Sequence, residues 1–260
     1  MLFGVKLSER AGAPRIEGIA MKIENRRIKR GLIATGLLAT ALGAVLLARA
    51  DKKIPPGSVL APDKGKLNIL IDGKSIGRED FEIAPNGDNW IAKGTTKVAT
   101  EGSPSTTVTG SLTMAPDGSP ISYEWTSQAD QTNGAHVVFE NGVAKMTLEM
   151  QGARPYEQDL TFGTPHIAVL DNNLYHQYAI LAKLYDWNSK GLQNFSVLIP
   201  QELTPGTITV NSVGSLSADG KSYESLKVIT TDIEMVLYLD SNHKLMRLEV
   251  PSSKAAVVRE

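Results

Sequence analysis

From about Lys66 onward the dominant pattern is alternation of apolar and polar residues with a period of two. Val108, Gly110, Leu112 and Met114 alternate with Thr107, Thr109, Ser111 and Thr113. Ile121, Tyr123 and Trp125 alternate with Ser122, Glu124 and Thr126. The same holds for Ala144, Met146, Leu148 and Met150, and again for Ile233, Met235, Leu237 and Leu239. One apolar and one wet face per strand is the signature of antiparallel sheet. Turn dipeptides separate the runs. Asn141-Gly142 is the strongest and predicts a type I′ hairpin between His136–Glu140 and Val143–Met150. Pro85-Asn86-Gly87-Asp88, Pro116-Asp117-Gly118, Asn133-Gly134, Asp219-Gly220 and Asp240-Ser241-Asn242 are further turn signals. Spacings of roughly ten residues predict about a dozen strands in a curved antiparallel meander, an open or closed barrel-like sheet.

Two stretches break the alternation. Asp171-Asn172-Asn173 offers helix caps, and a helix of about fourteen residues follows, Leu174 to Trp187, within the span 173–187. Its apolar residues lie almost all round, so it is expected to be buried against the concave side of the sheet. The other stretch, Gly31 to Ala48, is uncharged. Lys22, Arg26, Arg27, Lys29 and Arg30 precede it, and Ala48-Arg49-Ala50 follows. Basic flank, apolar run and small-residue exit describe a secretory signal over residues 21–50. Its length also suits an N-terminal membrane anchor over residues 31–48. Both readings export the body. Residues 1–20 read as an upstream extension, with Met21 as the start. Residues 51–65, rich in Pro and Gly, read as a linker before an antiparallel β domain over 66–260.

Charge sharpens this division. The 260 residues carry a net charge of −1, but residues 1–50 hold nine Lys/Arg against three Asp/Glu. The remainder is therefore acidic, which excludes the basic footprint of a nucleic-acid binder. The absence of Cys excludes disulfides, thiol catalysis and lipidation at Cys.

Candidate chemistry is sparse. Gly73-Lys74-Ser75-Ile76-Gly77 matches the spacing of a nucleophile elbow, but strand-like sequence flanks it on both sides, so it reads as a hairpin turn. His136, His166, His176 and His243 show no metal-ligand spacing and read as surface or turn residues. Glu79, Asp80 and Glu82 read as a solvated strand face, with a glycosidase pair at Asp80 and Glu82 as the alternative. Nothing suggests a cofactor, a metal or a catalytic set. The more informative residues are the methionines of the apolar strand faces. Met114, Met146, Met150, Met235 and Met246, with Tyr123, Trp125 and Tyr178, could line a cavity for an apolar or amphiphilic, lipid-like ligand. The plainer reading is that they fill a solid core.

The segments Ile71–Ile83, Asp171–Asp186 and Met235–Val250 give the order opening hairpin, helix, closing hairpin. In that order residues 64–260 resemble bacterial envelope β domains of unknown function. In outline they are similar to the unclosed barrels of Lol-type lipoprotein carriers. The resemblance implies a periplasmic or envelope location and a lipid or lipoprotein ligand. The alternatives are a structural or interaction module without a cavity, with envelope proteins as partners, and a carboxylate-dependent glycan hydrolase.

Overall fold

The structure, a computed structural model, describes residues 53–99 and 104–260. Gly31–Ala48, and with it the signal or anchor reading and the 1–20 extension, lies outside these residues. Among the described residues no helix is long and apolar enough to cross a membrane.

The described residues begin with eight strands: β1 (Asp63–Ile71), β2 (Lys74–Asn86), β3 (Asn89–Val98), β4 (Thr106–Met114), β5 (Pro120–Gln128), β6 (Thr132–Glu140), β7 (Val143–Met150) and β8 (Tyr156–Thr161). A three-residue strand, β9 (Ile167–Val169), leads into the helix α1 (His176–Leu184). Six strands complete the chain: β10 (Gln193–Ile199), β11 (Thr204–Ala218), β12 (Lys221–Ile229), β13 (Glu234–Leu239), β14 (Leu245–Val250) and β15 (Ala255–Arg259). All fifteen belong to one sheet, in the order β8 to β1 and then β15 to β9. Strands adjacent in the chain pair with each other except β8 and β9, and the first and last described strands pair in the middle of the sheet. The sheet is not closed, because β8 and β9 form its two edges. β1 begins at Asp63, inside the stretch that reads as linker.

Turn chemistry accounts for the meander. Asp72-Gly73, Asn141-Gly142 and Asp219-Gly220 each place two consecutive residues at φ between 48 and 77°, as a type I′ turn requires. The nucleophile-elbow match therefore belongs to a hairpin, with its turn at Asp72-Gly73. Asn133-Gly134 is not a turn. Both residues lie inside β6, where a Cβ on Gly134 would come within 2.7 Å of the Trp125 carbonyl oxygen. This glycine permits a close strand approach, a role that sequence context confuses with a turn.

One pair departs from the antiparallel rule. β9 and β10 run parallel, joined by the crossover that contains α1. A parallel pair needs such a connection, and here it carries the helix onto the sheet. α1 is shorter than expected. It ends at Leu184, and Tyr185 is extended (φ −64, ψ 129). The Trp187 indole then folds back and donates to the Ala182 carbonyl at 2.9 Å, satisfying a helix-end acceptor. Leu174, Ala179, Ile180, Leu181 and Ala182 are buried and join inward-facing residues of both sheet halves, such as Ile69, Leu112, Val137, Leu226 and Leu237, in one core.

The first and last described strands meet at the centre of the sheet. β1 and β15 pair from Leu67↔Arg259 to Ile71↔Ala255. The Arg259 guanidinium donates to both carboxylate oxygens of Asp63, at 3.0 and 2.7 Å, lies over the Phe81 ring and donates to the Leu245 carbonyl.

Candidate functional site

The interior contains an organised polar cluster at the N-terminal end of α1. Its first element is Glu79 of β2. Along β2, Glu79, Phe81 and Ile83 point inward while Asp80 and Glu82 point to solvent. Glu79 is fully buried. Its Oε2 accepts the Tyr175 and His176 backbone N–H groups at 2.8 and 3.1 Å, and its Oε1 lies 2.5 Å from His176 Nδ1. A carboxylate from a strand nearly a hundred residues away thus caps the helix, favoured by the positive end of its dipole. Asp171-Asn172-Asn173 does not supply the cap, as the helix has no side-chain cap from its own flank. The fit is close: a Cβ on Gly94 would come within 2.5 Å of the His176 ring and 2.6 Å of Glu79. Phe81 stacks on the same imidazole, with centroids 5.9 Å apart.

The second element is Asp171, just beyond β9. Its Oδ2 accepts from the Tyr123 hydroxyl of β5 at 2.8 Å. Its Oδ1 accepts from the Asn172 and Gln201 backbone N–H groups at 3.1 and 3.0 Å. Its own N–H donates to the Gln177 side-chain carbonyl at 2.5 Å. Burial pushes the Asp171 carboxyl up to about 7, against the opposing pull of the donors from Gln201, Tyr123 and Asn172. Burial, followed by the charge of Asp171, holds the Tyr123 hydroxyl well above its ordinary range. Burial and the nearby Glu79 carboxylate do the same to Tyr175. Thr96 adds a third tether by donating to the Asn173 carbonyl at 2.5 Å. Two buried side-chain donors, Gln177 Nε2 and Trp125 Nε1, have no hydrogen-bond partner among the described residues.

These positions correct two expectations. His176 is not a surface residue: it is 1% exposed. Glu79 is not part of a solvated face, although its neighbours Asp80 and Glu82 are exposed, with Asp80 3.4 Å from Lys66. The parity of Glu79 with Phe81 and Ile83 was the available signal. The other histidines lie nearer solvent. His136 faces Glu124, His166 meets Ser119, and His243 stacks on Trp187 at 3.8 Å.

The eight residues expected to line a ligand site differ in exposure. Met114, Tyr123, Trp125, Met146 and Met235 are buried in the core. Tyr178 and Met246 are half-buried. Met150, at the end of β7, is 41% exposed. Tyr178 and Met235 share a cavity of about 20 Å³ with Asp171 and Ile233. That is room for about one water molecule. No group of three or more His, Asp or Glu among the described residues is placed to hold a metal ion.

The described residues define a mainly β fold whose curved, unclosed sheet carries one α-helix. Solved structures similar to it include two proteins of unknown function. One is a β-barrel-like protein of the domain of unknown function DUF1849 from Brucella abortus, with 12% identity and a TM-score of 0.49, covering 77% of this chain and 95% of that one. The other is a DUF1089 family protein from Pseudomonas aeruginosa, with 10% identity and a TM-score of 0.42, covering 67% and 90%. No family model matches the chain, and no curated protein matches it in sequence.

Proposed function

We propose that this chain is an exported, non-enzymatic interaction module of the bacterial cell envelope, whose interior is reserved for its own helix. One observation carries the reading: α1 occupies the concave face with its apolar residues packed, leaving beside it a space of about 20 Å³. An acyl chain would have to displace the helix, break the Glu79 and Asp171 contacts, and replace several buried side chains each contributing roughly 1.5–3 kcal/mol. The basic, apolar N-terminal segment supports export, and the acidic body supports a role away from nucleic acid. Partners would then be met on the outer surface of the sheet.

The test is native mass spectrometry of the full chain extracted from its own membranes. The expected result is the mass of the protein alone. A stoichiometric co-purifying lipid would overturn the reading in favour of a Lol-type carrier in which α1 is displaced. A phosphatase reporter fused after Glu260 should be active only if the body is exported.

A further inference from the structure

At the unpaired boundary of the sheet there is a surface cavity of about 130 Å³. Its floor is apolar: Ile167 and Ala168 of β9, Leu184 of α1 and Phe195 of β10. Its rim is polar: Asp117 and Ser119 from the β4–β5 turn, and His166 from the link between β8 and β9. Ser119 Oγ lies 2.8 Å from His166 Nδ1, and Asp117 Oδ2 lies 3.9 Å from the same nitrogen. Asp117 Oδ1 is engaged by the Ser119 backbone N–H at 2.9 Å.

This trio is not a hydrolytic relay. In a relay the serine and the carboxylate occupy opposite ring nitrogens, and here they share one. What the rim offers is recognition. When Ser119 Oγ donates to the imidazole nitrogen, its lone pairs stay free to accept. Asp117 Oδ2, at 3.9 Å, lies beyond hydrogen-bond distance of that nitrogen, and the aspartate side chain is 55% exposed. The cavity volume is close to the ~150 Å³ that accommodates benzene in an engineered apolar cavity. One ring or a short alkyl group fits, and a full acyl chain does not.

We propose that this cavity binds a small amphiphilic amine. The ammonium sits between Asp117 Oδ2 and Ser119 Oγ, and a ring or short alkyl group lies against Leu184 and Phe195. The site is independent of the envelope reading and of the packed interior.

Phenethylammonium is the probe, titrated into the 15N-labelled full chain while the amides of Gly118, Ser119, His166 and Ala168 are followed by NMR. Saturable shifts at these amides are expected, with a Kd on the order of a millimolar. Asp117→Asn should weaken binding at least about threefold, and Ser119→Ala should weaken it as well. Both changes lie at the rim and leave the amide spectrum elsewhere unchanged. Phenylacetate, of similar size and opposite charge, should produce no saturable shift. The proposal is overturned if phenethylammonium gives no saturable shift at these amides. It is equally overturned if phenylacetate binds as well, or if both rim variants bind phenethylammonium unchanged.

Discussion

The two halves of the sheet are joined at one pair of strands and left unjoined at another, and the two are built in opposite ways. β1 and β15 are the most distant strands in the chain, yet they share a continuous ladder fastened by the Arg259–Asp63 fork. β8 and β9 are neighbours in sequence, separated by residues 162–166, and do not pair. The cause lies in α1. Its crossover requires β9 to run parallel to β10, so β9 is committed to the second half rather than to a hairpin with β8. The edges are protected differently. β9 is buried throughout and approaches β5, while β8 exposes Glu157 and Asp159, charges that discourage edge-to-edge association. Sequence neighbours pair throughout this sheet except at β8 and β9, where the helix crossover commits β9 to β10.

The contrast can be broken most severely at the closed junction. Deleting Ala255–Glu260 removes the partner of β1 and uncovers Leu67 and Ile69, both essentially buried. The expected outcome is loss of cooperative unfolding in a denaturant titration. Next in size is Glu79→Ala, which leaves buried His176 and two helix N–H groups without their acceptor. Breaking one side of a buried pair costs about 3–5 kcal/mol, read as a lower urea midpoint. Arg259→Ala should cost about 1.5–3 kcal/mol in the same measurement, because Asp63 loses two charged hydrogen bonds.

A pH series tests the helix side. The Asp171 carboxyl is raised from 3.8 to about 7, so the folded state keeps a proton that the unfolded state releases within that window. Stability from this group is complete below pH 3.8 and is lost as pH rises towards about 7. Asp171→Asn should flatten this decline across the same range. The smallest effect belongs to the open seam. Inserting three Gly/Ser residues after Gly163, whose Cβ position meets nothing within 4 Å, should cost less than about 1 kcal/mol. A loss comparable to the β15 deletion would show that the seam is as structural as the closed junction.

Much of this architecture was legible in the sequence. Alternation located the strands, and Asn141-Gly142 fixed its hairpin register. The run from Leu174 identified a buried helix, although it overran the observed end because Trp187 satisfies the helix terminus from outside it. Three properties were less accessible. Glu79 capping α1 joins residues far apart in sequence, so no local window contains it. Asn133-Gly134 has the composition of a turn, but the strand backbones approach closely there. The spread of the methionines depends on strand ends and bulges. Met150 shares the parity of Met146 but lies beyond the covered part of β7, and Met246 sits at the register shift opposite Tyr238/Leu239.

Pairing of the first and last strands has a kinetic consequence. The Glu260 N–H donates to the Lys66 carbonyl at 3.0 Å, so the end of β15 lies beside the start of β1. A short connector could join them, and new termini could be opened at Gly163. In that circular permutant every ladder would link strands consecutive in the chain. The native order must instead close a loop of nearly the whole domain before β1 and β15 can meet. Mean sequence separation of contacts governs folding speed among small domains. The permutant should therefore refold faster than the native chain while building the same sheet.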